Sequence, residues 1–159
     1  MPIVLYRVDE RLIHGQVVVG WGNELRPDRY LVVDDELAAS DWEQDLYRLG
    51  AGDAETIFAP VEAARASLEL WDGQSPRSIL LTRDVAAMAR LAGGGRLEGS
   101  AVNLGGVHHA EGRREVLTYL HLSDEDREHL RALRAGGVRV SARDLPDSTK
   151  VPLDRLLDG

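Results

Sequence analysis

The chain has 159 residues, 43% hydrophobic but only 5% aromatic, so Leu, Val and Ala must fill the core of one domain, expected over residues 1–159. Its net charge of −8 disfavours nucleic acid and anionic lipid as partners, because both need a basic face. Cysteine is absent, which excludes disulfides, thiolate nucleophiles and Cys-ligated metals, and no apolar run approaches the roughly 18–20 residues that span a bilayer.

Taken in order, residues 2–8 read as a buried strand. Residues 15–25 read as a helix, with Val17, Val18, Trp21 and Leu25 at helical spacing and Gly20 and Gly22 weakening it. Tyr30–Asp34 is a second strand. Ser40-Asp-Trp-Glu43 has the form of a capping box, and Trp42, Leu46 and Leu49 are the expected inner stripe of the helix that follows. Thr56–Ala59 is a third strand, and Pro60 suits the first turn of a helix over 61–71. Ser78–Thr82 is a fourth strand, followed by a helix over Val85–Leu91 that ends at Gly93-Gly-Gly95. Ser100–Leu104 and Val116–Leu122 give a fifth and a sixth strand. Ser123-Asp-Glu-Asp126 opens a helix to about Ala135, Val138–Ala142 is a short last strand, and Pro152–Leu157 a final helical turn. The alternation predicts an α/β single domain: an open, mainly parallel sheet of about six to seven strands with helices on both faces. Residues 104–122 interrupt the alternation, so the far edge of the sheet is expected to contain an antiparallel pair.

In such sheets ligands sit beyond the carboxyl ends of the strands. The segments placed there are Asp9–His14, Asp34-Asp35, Ala59-Pro60, Thr82–Asp84 and Gly105–His108. The first carries the most chemistry. Imidazole accepts a phosphoryl group near neutral pH because one ring nitrogen is unprotonated. Arg7 and Arg11, seven and three residues before His14, supply planar cationic forks that match phosphate oxygens. The amides of Gly15, Gln16 and Val17 open a helix and offer anion-binding dipoles. Asp9 or Glu10 can accept the second imidazole N–H and fix the tautomer. The spacing alone equally allows an ordinary loop histidine, with the two arginines paired to Asp9 and Glu10.

The run Arg7-Val-Asp-Glu-Arg-Leu-Ile-His-Gly-Gln-Val17 closely resembles the active-site loop of the IIB subunits of the mannose/fructose/sorbose-type bacterial phosphotransferase system (PTS). There the pattern reads Arg-Ile-Asp-x-Arg-Leu-Ile-His-Gly-Gln-Val. The likeness continues in Trp21, in Val33–Asp41, in Asn103–Val107 and in Ser123–Asp126. It implies a mainly parallel sheet between helices and a cytoplasmic phosphocarrier. Such a subunit takes phosphate from the histidine of a IIA partner, holds it on its own histidine, usually at Nδ1, and passes it to a sugar entering through membrane IIC and IID subunits. By position, His14 is the phosphorylated residue, and Arg7 and Arg11 are the phosphate-stabilising arginines. The mechanism implies no metal and no organic cofactor. Two loops depart from the family pattern: Leu49–Asp53 stands where an Ala-Pro-Pro-Gly-like stretch is common, and Thr82-Arg83-Asp84 where many members have Asn-Pro.

Other residues are accessory candidates with plain structural readings beside them. Asp34 and Asp35 either orient the arginines or cap the end of a strand. Gly105 and Gly106 either let an anion approach or make a tight turn, and His108 either faces the phosphate or is a polar loop residue. Two further functions are open. One is a phosphohistidine regulatory module of an incomplete relay without sugar transport; the other is a metal-dependent hydrolase built from Asp9, His14 and His108. Oligomeric state and sugar identity are not legible.

Overall fold

The computed structural model describes residues 2–158. Seven strands form one sheet: β1 (Ile3–Val8), β2 (Arg29–Val33), β3 (Glu55–Ala59), β4 (Ser78–Thr82), β5 (Ala101–Leu104), β8 (Arg139–Ala142) and β9 (Val151–Pro152). Their spatial order is β3-β2-β4-β1-β5-β8-β9, parallel throughout except for β9. Strands β6 (Arg114–Leu117) and β7 (Leu120–Leu122) make a separate antiparallel hairpin. The helices are α1 (Gly22–Leu25), α2 (Asp35–Ala38), α3 (Asp41–Gly50), α4 (Val61–Gly73), α5 (Val85–Ala92), α6 (Asp124–Ala135) and α7 (Leu153–Leu157). A π-helical stretch, Gln16–Trp21, leads directly into α1.

Central strands β2 and β4 are buried along their whole length, as expected where helices cover both faces. The two faces carry separate cores. Leu12, Ile13, Val17 and Trp21 pack with Tyr30, Val32, Ile79 and Leu81 on one face. Val61, Ala64 and Leu68 of α4, Val85, Met88 and Leu91 of α5, and Leu130 and Leu133 of α6 pack on the other. The chain leaving β1 therefore turns to one face, while the chains leaving its neighbours β4 and β5 turn to the opposite one. That reversal opens a crevice at the carboxyl end of β1, where Asp9–His14 lies.

The predicted architecture holds, with local corrections. The antiparallel pair at the sheet edge is β8–β9, and residues 104–122 contribute a second antiparallel pair outside the sheet. Residues 116–122 are not one strand: the chain turns at Thr118-Tyr119 and folds back as the β6–β7 hairpin. The hairpin is tied to the loop after β5, Val107 N–H donating to Tyr119 O (2.9 Å) and His121 N–H to Val107 O (2.9 Å). The Ser40 capping box does not form, because the Ser40 N–H that Glu43 would satisfy already donates to Leu37 O (3.1 Å), closing α2. The Ser123 box forms reciprocally, with both Ser123–Asp126 bonds at 2.9–3.0 Å. Trp42, Leu46 and Leu49 are not an inner stripe: they are 68%, 58% and 81% exposed. The helix rotates so that Gln44 faces inward instead, its amide donating to the carbonyls of Leu37 and Ala38 (3.0 and 3.2 Å). Burying a polar residue costs little once its donors are satisfied, and the tight α2–α3 turn supplies those acceptors.

Candidate active site

Arg7 sits in β1 directly opposite Asn103 of β5, and it is fully buried. A guanidinium has five N–H donors, and all five are used. Two go to Asp9 Oδ2 (Nε 3.3 Å, Nη2 3.1 Å), one to Asn103 Oδ1, and two to the carbonyls of Arg143 (2.9 Å) and Asp144 (3.0 Å). Trp21 covers the cation, its ring centroid 5.2 Å from Arg7 Cζ, while its indole N–H donates to the same Asp144 carbonyl (3.0 Å). Arg7 thus lies beneath the loop with no donor left for a phosphate, unlike its expected place as a phosphate-facing fork. The spacing reading that paired it with Asp9 describes this side chain.

Asp9 is also fully buried, just past the end of β1. Its Oδ2 faces Arg7, and its Oδ1 accepts the Arg11 amide (3.2 Å) and lies 3.0 Å from His14 Nε2. Burial pushes this carboxyl upward, but the His14 contact, the Arg7 charge and the Arg11 amide together outweigh it and hold Asp9 below the ordinary carboxylate range.

His14 is 14% exposed through its side chain. Nε2 is the buried ring nitrogen; it meets Asp9 Oδ1 off the straight hydrogen-bond line, so the contact is mainly electrostatic. A carboxylate this close favours the proton on Nε2 electrostatically, which leaves the lone pair on Nδ1. Among the described residues Nδ1 has no protein partner. The loop holding the ring is strained: Leu12 has φ 56°, the left-handed region a branched apolar side chain avoids, and it is anchored there by complete burial. A π-helical turn begins two residues after the histidine, a conformation often found at functional sites.

The other side of the loop is pinned by Glu10. Its amide donates to Gly106 O (2.8 Å), and its carboxylate accepts from the His108 amide (2.9 Å), His108 Nδ1 (2.6 Å) and Arg113 Nη1 (3.3 Å). Burial raises the Glu10 carboxyl, and these donors outweigh it, so it too sits below the ordinary range. Gly105 is needed because a Cβ there would lie 2.2 Å from Arg7 Nη2. At Gly106 a Cβ would have Asp9 Oδ1, Arg11 Nη2 and His108 Nε2 within 3.7–3.9 Å, so those three polar groups ring one small space.

The remaining expectations divide. Arg11 is exposed and bonded only to Gln16 Oε1 (3.0 Å), leaving most of its donors free beside Asp9. Nothing would touch a Cβ at Gly15, so the rim is open there. The Gly15 and Gln16 amides have no protein acceptor among the described residues. Val17 is corrected: its amide donates back to His14 O (3.0 Å) and is not free for an anion. Asp34 caps α2 through Leu37 N–H (2.9 Å) and faces Arg83 Nε at 3.6 Å; it touches neither Arg7 nor Arg11. His108 pairs with Glu10 rather than joining Asp9 and His14, and no group of three or more His, Asp or Glu side chains among the described residues could hold a metal ion, against the hydrolase reading. Sequence reasoning missed Asn103 as the partner of Arg7. The signal was available: an arginine and an asparagine inside two otherwise apolar strands must satisfy each other.

The chain matches, over residues 3–159, the family model described as PTS system sorbose subfamily IIB component. It belongs to that family. It is 30% identical to the N-acetylgalactosamine-specific phosphotransferase enzyme IIB component 1 of Escherichia coli K12, over 93% of this chain and 94% of that protein. It is 29% identical to the mannose-specific EIIAB component of the same organism, covering 99% of this chain but only 49% of that longer protein. Among solved structures it resembles manxB from Thermoanaerobacter tengcongensis, with a TM-score of 0.85, 28% identity, and 98% and 94% of the two chains covered. Like other IIB components, the chain is a phosphocarrier subunit of a sugar PTS and has a transferase role. No described helix is long and apolar enough to cross a membrane.

Proposed function

We propose that His14 is the phosphoryl carrier and that Nδ1 is the atom that carries it, as a protein-phosphohistidine–sugar phosphotransferase. The observation that supports this most directly is the Asp9 carboxylate 3.0 Å from Nε2, which favours the proton on that nitrogen and frees the other. The Nδ1 lone pair attacks phosphorus on a donor phosphohistidine; the N–P bond to the donor breaks as the bond to His14 forms. The positive charge the ring acquires is stabilised by Asp9, which Arg7 in turn holds in place. Arg11 swings from Gln16 to the transferring oxygens, and the amides of Gly15 and Gln16 assist. Later a sugar hydroxyl attacks the phosphorus: the O–P bond forms as the His14 N–P bond breaks, the ring leaves with its lone pair restored, and the hydroxyl proton is released to solvent.

The donor is a IIA histidine, which fits the EIIAB fusion among the relatives, and the acceptor is a sugar brought by membrane IIC and IID subunits. The protein works in the cytoplasm, peripheral to the membrane through those subunits. Relatives named for N-acetylgalactosamine, mannose, fructose and sorbose systems favour this over a regulatory relay without transport. Incubation with a phosphorylated IIA domain, followed by NMR of the phosphohistidine, tests the assignment. His14→Ala accepts no phosphate while keeping its fold, and the wild-type label sits on Nδ1. Label on Nε2, or normal acceptance by His14→Ala, overturns it.

A further inference from the structure

The helices that follow β3, β4 and β5 all pack on one face, and on the opposite face β1 and β5 border a concavity reached by Trp21. A groove of ≈ 330 Å³ runs there, in the size range of small-molecule sites. Leu5 and Trp21 contribute apolar surface; Ser100, Asn103 and Ser141 contribute polar groups. Three cations line it: Arg139, Arg143 and Lys150, the last being the only lysine of the chain. None of the three has a carboxylate within ion-pair distance among the described residues. Arg143 Nε is buried with no hydrogen-bond partner among the described residues. A second cavity of ≈ 320 Å³ shares Ala101, Arg139, Ser141 and Lys150 with the first, so Arg139 and Lys150 border both.

In a chain of net charge −8, where most arginines are tied to carboxylates or carbonyls, three cations without a carboxylate partner make this concavity locally positive. The single carboxylate lining the groove is Asp72, whose Oδ1 accepts the Ile3 amide (3.1 Å). The groove therefore offers cations along β8 and its flank, with the Ser100 and Ser141 hydroxyls and the Asn103 amide between them for a hydroxylated body.

We propose that this groove binds a small phosphomonoester with a hydroxylated body, such as a monosaccharide phosphate, its phosphate held by Arg139 and Lys150, which line both cavities together. The site is separate from His14 and does not rest on the phosphoryl-transfer assignment. It is nevertheless joined to it, because Asn103 both lines the groove and accepts from Arg7, which holds Asp9.

The experiment uses the full chain carrying His14→Ala, so phosphoryl transfer cannot enter the reading. It is titrated with glucose 6-phosphate, glucose and inorganic phosphate while the amide resonances of Ala101, Ser141 and Lys150 are followed. Saturable shifts are expected with glucose 6-phosphate, at least tenfold weaker binding with inorganic phosphate, and none with glucose. Arg139→Gln with Lys150→Gln, both exposed positions, weakens glucose 6-phosphate binding at least tenfold at unchanged Tm. Absence of saturable shifts, or shifts unaltered by the double substitution, overturns the site. Equal binding of phosphate and glucose 6-phosphate overturns the hydroxylated ligand class.

Discussion

The loop that carries His14 is held from two sides by acid–base clusters of similar composition and opposite setting. On the inner side, Arg7 and Asp9 have no solvent exposure, and every guanidinium donor is spent inside the protein. On the outer side, Glu10 is 32% exposed and its partners His108 and Arg113 are 54% and 22% exposed. The same contact distances therefore carry different energies. A buried charge stripped of its partner cannot turn to water, whereas an exposed one is rehydrated and screened. The inner cluster places a buried carboxylate against the imidazole and so favours one tautomer; the outer cluster fixes where the β5–β6 loop stands relative to it.

The sharpest way to break that contrast is Arg7→Met. It leaves the Asp9 carboxylate buried with its main counter-charge gone, and loss of about 3–5 kcal/mol of stability is expected by denaturant unfolding. A loss no larger than that of an exposed pair would mean the inner cluster is not what holds the loop. Gly105→Ala attacks the same cluster sterically, since the new methyl lies 2.2 Å from Arg7 Nη2. Overpacking of this kind costs about 1–3 kcal/mol and should slow phosphoryl acceptance by displacing Arg7 and with it Asp9. Gly15→Ala is the control: nothing stands within 4 Å of its Cβ, so stability stays within about 0.5 kcal/mol.

How much of this was legible in the residues follows the same division. The parallel sheet and the rim position of His14 came from alternating apolar segments, a pattern that survives without tertiary detail. The role of Arg7 did not. A guanidinium near a histidine reads as a ligand fork, and only the register of β1 against β5, which puts Asn103 opposite it, shows that its donors are already used. The inward face of α3 was misread for a related reason. Trp42, Leu46 and Leu49 form a good apolar stripe, but the turn from α2 offers the Leu37 and Ala38 carbonyls to Gln44, and that fixed the helix rotation. The Glu10 tether joins residues about a hundred positions apart, a distance no local spacing can encode.

Acid titration separates the two clusters further. Asp9 has its folded pKa depressed, so its contribution is complete above the unfolded value of about 3.9. As pH falls below that, the unfolded chain takes up the proton first and stability declines, until the folded carboxyl is protonated as well. Asp9→Asn should therefore be less stable than wild type at neutral pH and show a flatter decline on acidification. An unchanged acid limb in Asp9→Asn would place the acid sensitivity elsewhere.

Gly15→Ala aside, Glu10→Gln is expected to have the smallest effect on stability and to be the most informative about function. It removes the charge facing His108 Nδ1 and Arg113 but leaves the Glu10 amide bonded to Gly106 O. Partly exposed pairs contribute about 0.2–1 kcal/mol each, so Tm should move by only a few degrees. The loop bearing His108 is then held by fewer contacts, and because it borders the space ringed by Asp9, Arg11 and His108, the rate of phosphoryl acceptance should fall more than stability does. Paired measurement of Tm and acceptance rate decides it. A stability loss as large as that of Arg7→Met would show that the outer cluster carries the fold as well, and the distinction between a tautomer-setting side and a loop-setting side would collapse.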